Sequence, residues 1–116
     1  MRILGGVAFK YTRTFTNNPE LAAQEVRTLY GATDVVTTSE EGTGTAPPVA
    51  KIQKMKIASA DKPLAVASGI KLENIGDYEN IVDEVLVASS VETSPYSGIF
   101  DRDKLKAFIR KAHNLA

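Results

Sequence analysis

The sequence predicts an α/β fold of four consecutive β-α units around one parallel sheet, and two observations carry that prediction. Four short runs, at 3–9, 34–39, 63–68 and 84–90, are apolar or β-branched without period-two alternation, the pattern of strands buried on both faces. Each is followed by a stretch with helix-start signals or helical spacing of apolar residues, which supplies the crossover that parallel pairing needs.

The first run, ILGGVAF, stops at Lys10-Tyr11-Thr12-Arg13 and a polar turn. Asn17-Asn18-Pro19-Glu20 then offers an N-cap asparagine, proline at the first helical position and an acid in the first turn. Leu21, Ala22, Val26 and Leu29 continue that helix, and Gly31 ends it. The second run, DVVTTS, leads through the loop EEGTGTA to Pro47-Pro48, which open a helix carrying Val49, Ile52, Met55 and Ile57. The third, PLAVAS, is closed by Gly69 and followed by a short helical segment from Leu72 to Tyr78. The fourth, EVLVASS, enters a long loop with Pro95 and Gly98 before a helix from about Asp101, with Leu105, Phe108 and Ile109 at helical spacing.

Composition bounds the function. With 43% hydrophobic and 24% charged residues in 116, the chain can form a single domain, 1–116, without a metal or disulfide staple. Lys+Arg and Asp+Glu are equal at 14 each, so no overall field recruits nucleic acid or an anionic membrane. The absence of cysteine excludes a disulfide framework and a thiolate nucleophile, and with one histidine no usual zinc ligand set exists. The first apolar run is far shorter than the roughly 20 residues of a membrane span, and a cytoplasmic protein with no cofactor is expected.

Small residues close the second, third and fourth strands: Ser39, then Ser68-Gly69, then Ser89-Ser90. In parallel α/β proteins the loops after the strands converge with helix N-termini, where unpaired N–H groups favour an anion. Gly42-Thr43-Gly44-Thr45 adds two glycines and two hydroxyls that suit a nest of backbone donors. Alone, GTGT reads equally well as a flexible turn; beside SGI and ASS, a phosphate-type ligand site is the better reading. Lys10, at the end of the first strand, suits a phosphate or carboxylate contact or an ion pair more than a Schiff base, which needs a desolvated amine. Glu40, Glu41 and Glu92 follow strands two and four, where a carboxylate serves as base or magnesium ligand but more often is a solvated loop charge. Asp34 and Asp83 precede their strands and are expected to cap turns or pair with lysines on the opposite rim. His113, near the end of the last helix, and the Lys104, Lys106, Arg110, Lys111 face beside Leu105 and Phe108 are structural.

The segments VVTTSEEGTGTAPP, PLAVASGIKLENIGDY and DEVLVASSVE resemble strands six to eight, with their loops, of BtpA/SgcQ-type barrels in the ribulose-phosphate-binding group. The resemblance covers nearly the whole chain and implies half of a TIM barrel, with a flattened flavodoxin-like open sheet as the alternative architecture. It also implies a phosphate held by the loops after the last two strands, at Ser68, Gly69, Ser89 and Ser90. VASSVETS followed by FDRDKLKAFIRKA is similar to the end of phosphoribosylanthranilate isomerase in the same group. That enzyme's chemistry does not transfer: its general-base cysteine has no counterpart, and Phe9-Lys10 stands where its aspartate is expected. A barrel needs eight strands, so exposed edges and an apolar inner face predict a homo-oligomer, a dimer first of all. Met1 directly before the first strand fits a natural half-barrel or a shortened chain alike.

Overall fold

The structure, a computed structural model, describes residues 1–115. Strands β1 (Leu4–Gly6), β2 (Val35–Thr38), β3 (Leu64–Val66) and β4 (Glu84–Val85) alternate with helices α1 (Pro19–Leu29) and α2 (Val49–Ser59), and α3 (Arg102–Leu115) closes the chain. All neighbours pair in parallel, in the order β1-β2-β3-β4. This sequential order is the one a barrel propagates. A flavodoxin-like sheet reverses direction at a switch point, so that alternative is excluded.

Register separates the two faces of the sheet. Gly5, Val36 and Leu64 are aligned, as are Thr38 and Val66. From this side Val36, Leu64 and Val66 join Ala22, Val26, Ile52, Met55, Ile75, Tyr78 and Phe108 in one core cluster. The opposite row, Gly6-Thr37-Ala65-Glu84, is small and polar rather than apolar. Phe9 folds back over Gly6, where an added Cβ would lie 3.2 Å from its ring. Arg2, ahead of the edge strand β1, pairs with Glu84 on the other edge strand β4, so the sheet is curled enough for one side chain to reach across it. At the sheet edges Ile3, Leu4 and Leu86 are exposed, as are Leu21 and Ile57 on the helices and Ile99 and Phe100 in the loop before α3.

Local chemistry sets the helix limits. Asn18 caps α1, its Oδ1 accepting from the amides of Glu20 and Leu21 at 3.0 and 3.1 Å. Asp101 Oδ1 receives the amides of Asp103 and Lys104 in the same way ahead of α3. α2 starts after two prolines and has no side-chain cap, because Pro48 at the N-cap position has no side-chain acceptor to offer the first amides. Its buried face is Lys51, Ile52, Met55 and Ser59; Ile57, expected on that face, is 76% exposed because it lies off the 52-55-59 stripe. The third unit has only a 3-10 turn, Ile75–Tyr78, in place of a full helix.

Two strands stop short of their apolar runs. β1 ends at Gly6 because Ala8 takes a left-handed φ of 46° and leaves the ladder. β4 ends at Val85, so Ser89 and Ser90 stand in a 3-10 turn, Ser89–Val91, instead of at a strand terminus. Among the described residues no helix is long and apolar enough to cross a membrane.

The rim at the strand N-termini is held by the two aspartates expected there. Asp34 Oδ2 accepts the Ile3 amide at 2.8 Å. Asp83 Oδ2 accepts the Leu64 amide at 2.8 Å and pairs with Lys56 at 2.6 Å. Burial raises the pKa of Asp83, but the hydrogen bonds from Lys56 and Leu64, with the Lys56 charge, hold it below the ordinary 3.8. A depressed folded pKa contributes stability that is present above the unfolded value and lost as pH falls through the folded one. Asp83→Asn is therefore expected to lower the unfolding free energy at neutral pH by about 0.5 kcal/mol, since solvent screens this exposed pair. In urea titrations that difference should shrink below pH 3.8; a pH-independent difference would contradict the assignment.

Candidate functional site

At the C-terminal ends of the strands the loops enclose a cavity of about 330 Å³. Lys10 comes from the loop after β1, Thr43 and Gly44 from the loop after β2, Ser68 to Lys71 from the loop after β3, and Ser89, Ser90, Pro95 and Tyr96 from the segment after β4. Seven of the residues singled out in the sequence therefore meet on one cavity: Lys10, Thr43, Gly44, Ser68, Gly69, Ser89 and Ser90. Ser39, Gly42 and Thr45 lie outside its lining and shape it from behind. Ser39 is fully buried, its Oγ accepting the Lys10 amide at 2.9 Å and donating to Glu40 O at 3.0 Å. Gly42 O accepts from Ser68 Oγ at 3.2 Å.

The hydroxyls at the strand ends are largely committed within the protein. Ser68 holds Gly42, and Ser90 Oγ donates to Ile70 O at 2.9 Å. Main-chain donors remain: among the described residues the amides of Gly69, Ile70, Ser89 and Ser90 donate no hydrogen bond within the chain, although all four residues line the cavity. Two ammonium groups accompany them. Lys10 Nζ lies 3.4 Å from Thr43 Oγ1, and neither it nor Lys71 is paired with a carboxylate among the described residues. Among the described residues no acidic side chain lines the cavity.

Gly69 is what allows the loops after β2 and β3 to meet. Its φ is 66°, and a Cβ there would fall 2.2 Å from both the Ala46 nitrogen and the Thr45 carbonyl carbon. Both features require glycine, one through backbone conformation and the other through contact with backbone that cannot swing aside. Asn74 fixes the next turn, its Nδ2 donating to Gly69 O and its Oδ1 accepting the Lys71 amide, each at 2.8 Å. Gly69→Ala is expected to cost about 3 kcal/mol or more; near-native stability in denaturant titration would contradict this packing.

Behind the site, Lys51 is fully buried in α2. Its Nζ donates to Ser39 O at 2.8 Å, Ala8 O at 3.0 Å and Asn17 Oδ1 at 3.2 Å, and lies 4.9 Å from the centre of the Phe15 ring. Desolvation lowers its pKa from 10.5 to about 8, against the raising influence of the Glu40 and Glu25 carboxylates. Between pH 8 and 10.5 the unfolded chain thus holds more protons than the folded one, so this group's contribution to stability rises with pH across that window. The difference in unfolding free energy between the wild type and Lys51→Met, from urea titrations, should move in the wild type's favour over that range. A flat difference would contradict the buried ammonium.

Of the other acids, Glu40 Oε1 accepts from Asn17 Nδ2 at 2.5 Å and from the Glu41 amide at 2.9 Å, which makes it a loop organiser, and Glu41 is exposed. Glu92 is buried, with Oε2 unpartnered, and stands outside the cavity lining. His113 is exposed on α3. The sequence reading missed Lys71, Tyr96 and Lys51. Lys71 directly follows the SGI motif and was within reach of that signal. Tyr96 sits in a long loop at a φ of 62°, and a lysine in a helix ordinarily reads as solvated, so those two had no sequence signature.

The fold and this placement of loops define part of a (β/α)₈ barrel: a parallel four-stranded sheet with helices, its cavity at the strand C-termini. Among solved structures, the chain is similar to phosphoribosyl anthranilate isomerase from Thermus thermophilus, with a TM-score of 0.60 and 24% identity over 72% of this chain and 42% of that one. It is also similar to N-(5'-phosphoribosyl)anthranilate isomerase from Pyrococcus furiosus, with a TM-score of 0.64 and 23% identity over 89% of this chain and 48% of that one. The chain thus spans less than half the length of either TIM-barrel enzyme. No family model and no curated protein matches it.

Proposed function

We propose that this chain binds a phosphate-bearing small molecule, a sugar phosphate or nucleotide-like metabolite, at the C-terminal ends of its strands. The observation that carries the reading is the cavity's lining: four residues whose amides donate no hydrogen bond within the chain, and two lysines, with no carboxylate among the described lining residues. Backbone N–H groups from two adjacent loops hold tetrahedral oxyanions well, since they are fixed in direction and need no ordering on binding. The resemblance to BtpA/SgcQ-type barrels points the same way, and the names of both similar isomerases carry a phosphoribosyl group. Isomerase chemistry is not part of the proposal. The titratable lining residues are Lys10, Lys71 and Tyr96, a set suited to holding an anion.

The open edges β1 and β4, with exposed Leu4 and Leu86, support a second element of the proposal: four further β-α units, supplied by a second copy of the chain, complete the ring. Light scattering is expected to return twice the 12.5 kDa of one chain.

Isothermal titration with ribose 5-phosphate, with ribose as control, tests the ligand reading. Binding should require the phosphate, and Lys10→Gln or Lys71→Gln should each weaken it by about fivefold, the worth of one solvent-exposed ion pair. A folded protein that ignores ribose 5-phosphate and inorganic phosphate at millimolar concentration would overturn the proposal.

A further inference from the structure

We infer that Lys51, which does not line the cavity, is a positioning residue that sets Lys10 on the anion site through Ser39. The inference rests on the reading of the cavity as a phosphate site.

Three contacts connect them. The Lys51 ammonium donates to the Ser39 carbonyl at 2.8 Å, and Ser39 Oγ in turn accepts the Lys10 amide at 2.9 Å. The same ammonium donates to the Ala8 carbonyl at 3.0 Å, which Thr38 Oγ1 also reaches at 3.1 Å. Ala8 is the residue at which the chain leaves β1, with a left-handed φ of 46° that a side chain rarely adopts. That turn sends Phe9 back over Gly6 and leaves Lys10 at the cavity. The third proton of the ammonium goes to Asn17, which anchors the far end of the loop after β1. One buried cation therefore holds the exit from β1, the end of β2 and the return of the intervening loop.

A lysine serving only the core would have no reason to find all its acceptors on the rim of the site. Here the three oxygens belong to the ends of β1 and β2 and to the loop after β1, and two of them lie within two residues of a cavity lysine or of its hydrogen-bond partner. An aliphatic residue of the same length would fill the space but leave the Ser39 carbonyl buried without a donor and the Ala8 carbonyl with Thr38 Oγ1 alone. The affected stretch, 8–10, is the one that carries Lys10.

The test is a double-mutant cycle, Lys51→Met against Lys10→Gln, read by titration calorimetry with inorganic phosphate. If Lys51 acts through Lys10, Lys51→Met weakens binding about as much as Lys10→Gln does, and has less than a twofold effect once Lys10 is glutamine. Full affinity in Lys51→Met, or equal losses in both backgrounds, overturns the inference. Should Lys51→Met fail to fold, Ser39→Ala breaks the same path at its middle while leaving the carbonyls of Ser39 and Ala8 in place; additive losses with Lys10→Gln then overturn it. Amide hydrogen exchange at Lys10 needs no ligand. It should quicken at least tenfold in Lys51→Met while α1 amides are unchanged, and an unchanged Lys10 amide would overturn the inference. If the wild type binds no phosphate, the site reading fails, and the exchange result still decides whether Lys51 positions Lys10.

Discussion

The Lys51 ammonium is the constraint around which the site end of this fold is arranged. A cation removed from water must have its protons satisfied, and the acceptors it finds are main-chain and amide oxygens at the ends of two neighbouring strands and the loop between them. The cost of burying it appears in a pKa near 8 rather than 10.5. What the cost secures is geometry: Ala8 stays in a conformation that its Cβ disfavours, β1 stops, and the chain turns toward the cavity. At the opposite rim, Asp34 and Asp83 tie strand beginnings to their neighbours by the complementary device, a carboxylate receiving main-chain N–H groups.

Backbone, more than side chain, defines the cavity. Serines at the strand ends suggest hydroxyl ligands, yet Ser39, Ser68 and Ser90 spend their hydroxyls on neighbouring carbonyls. Ser68 and Ser90 fasten neighbouring loops to one another, while among the described residues the amides of Gly69, Ile70, Ser89 and Ser90 donate no hydrogen bond within the chain. Gly69 contributes by being small, letting the 45–46 backbone come closer than any side chain would permit. Two ammonium groups then give the cavity its sign without any net charge on the chain.

Much of this was legible in the sequence, for identifiable reasons. Parallel strands buried on both faces leave near-continuous apolar runs, so the four units along the chain and the Asn18-Pro19 helix start could be read directly, while the choice between a barrel-like and a flavodoxin-like strand order could not. The gathering of small residues at strand ends followed from the same alternation, since every loop after a strand must emerge on one face. What the sequence could not carry depends on long-range contact. Ala8 in the left-handed region has no glycine to announce it, and its turn shortens β1. Ser89 and Ser90 sit in a 3-10 turn because β4, an edge strand with one neighbour, stops at Val85. Lys51 looks like any surface lysine, as nothing local reveals that three oxygens far away in sequence converge on it.

An anion cradle built from the uncommitted amides after β3 and β4 is what the proposed function requires. The most direct measurement is an amide ¹H–¹⁵N correlation spectrum recorded while inorganic phosphate is added. Saturable shifts centred on Gly69, Ile70, Ser89 and Ser90 are expected, with the Asp34 and Asp83 rim unmoved. Unchanged resonances for those four amides, or shifts that scatter over the surface without saturating, would contradict it.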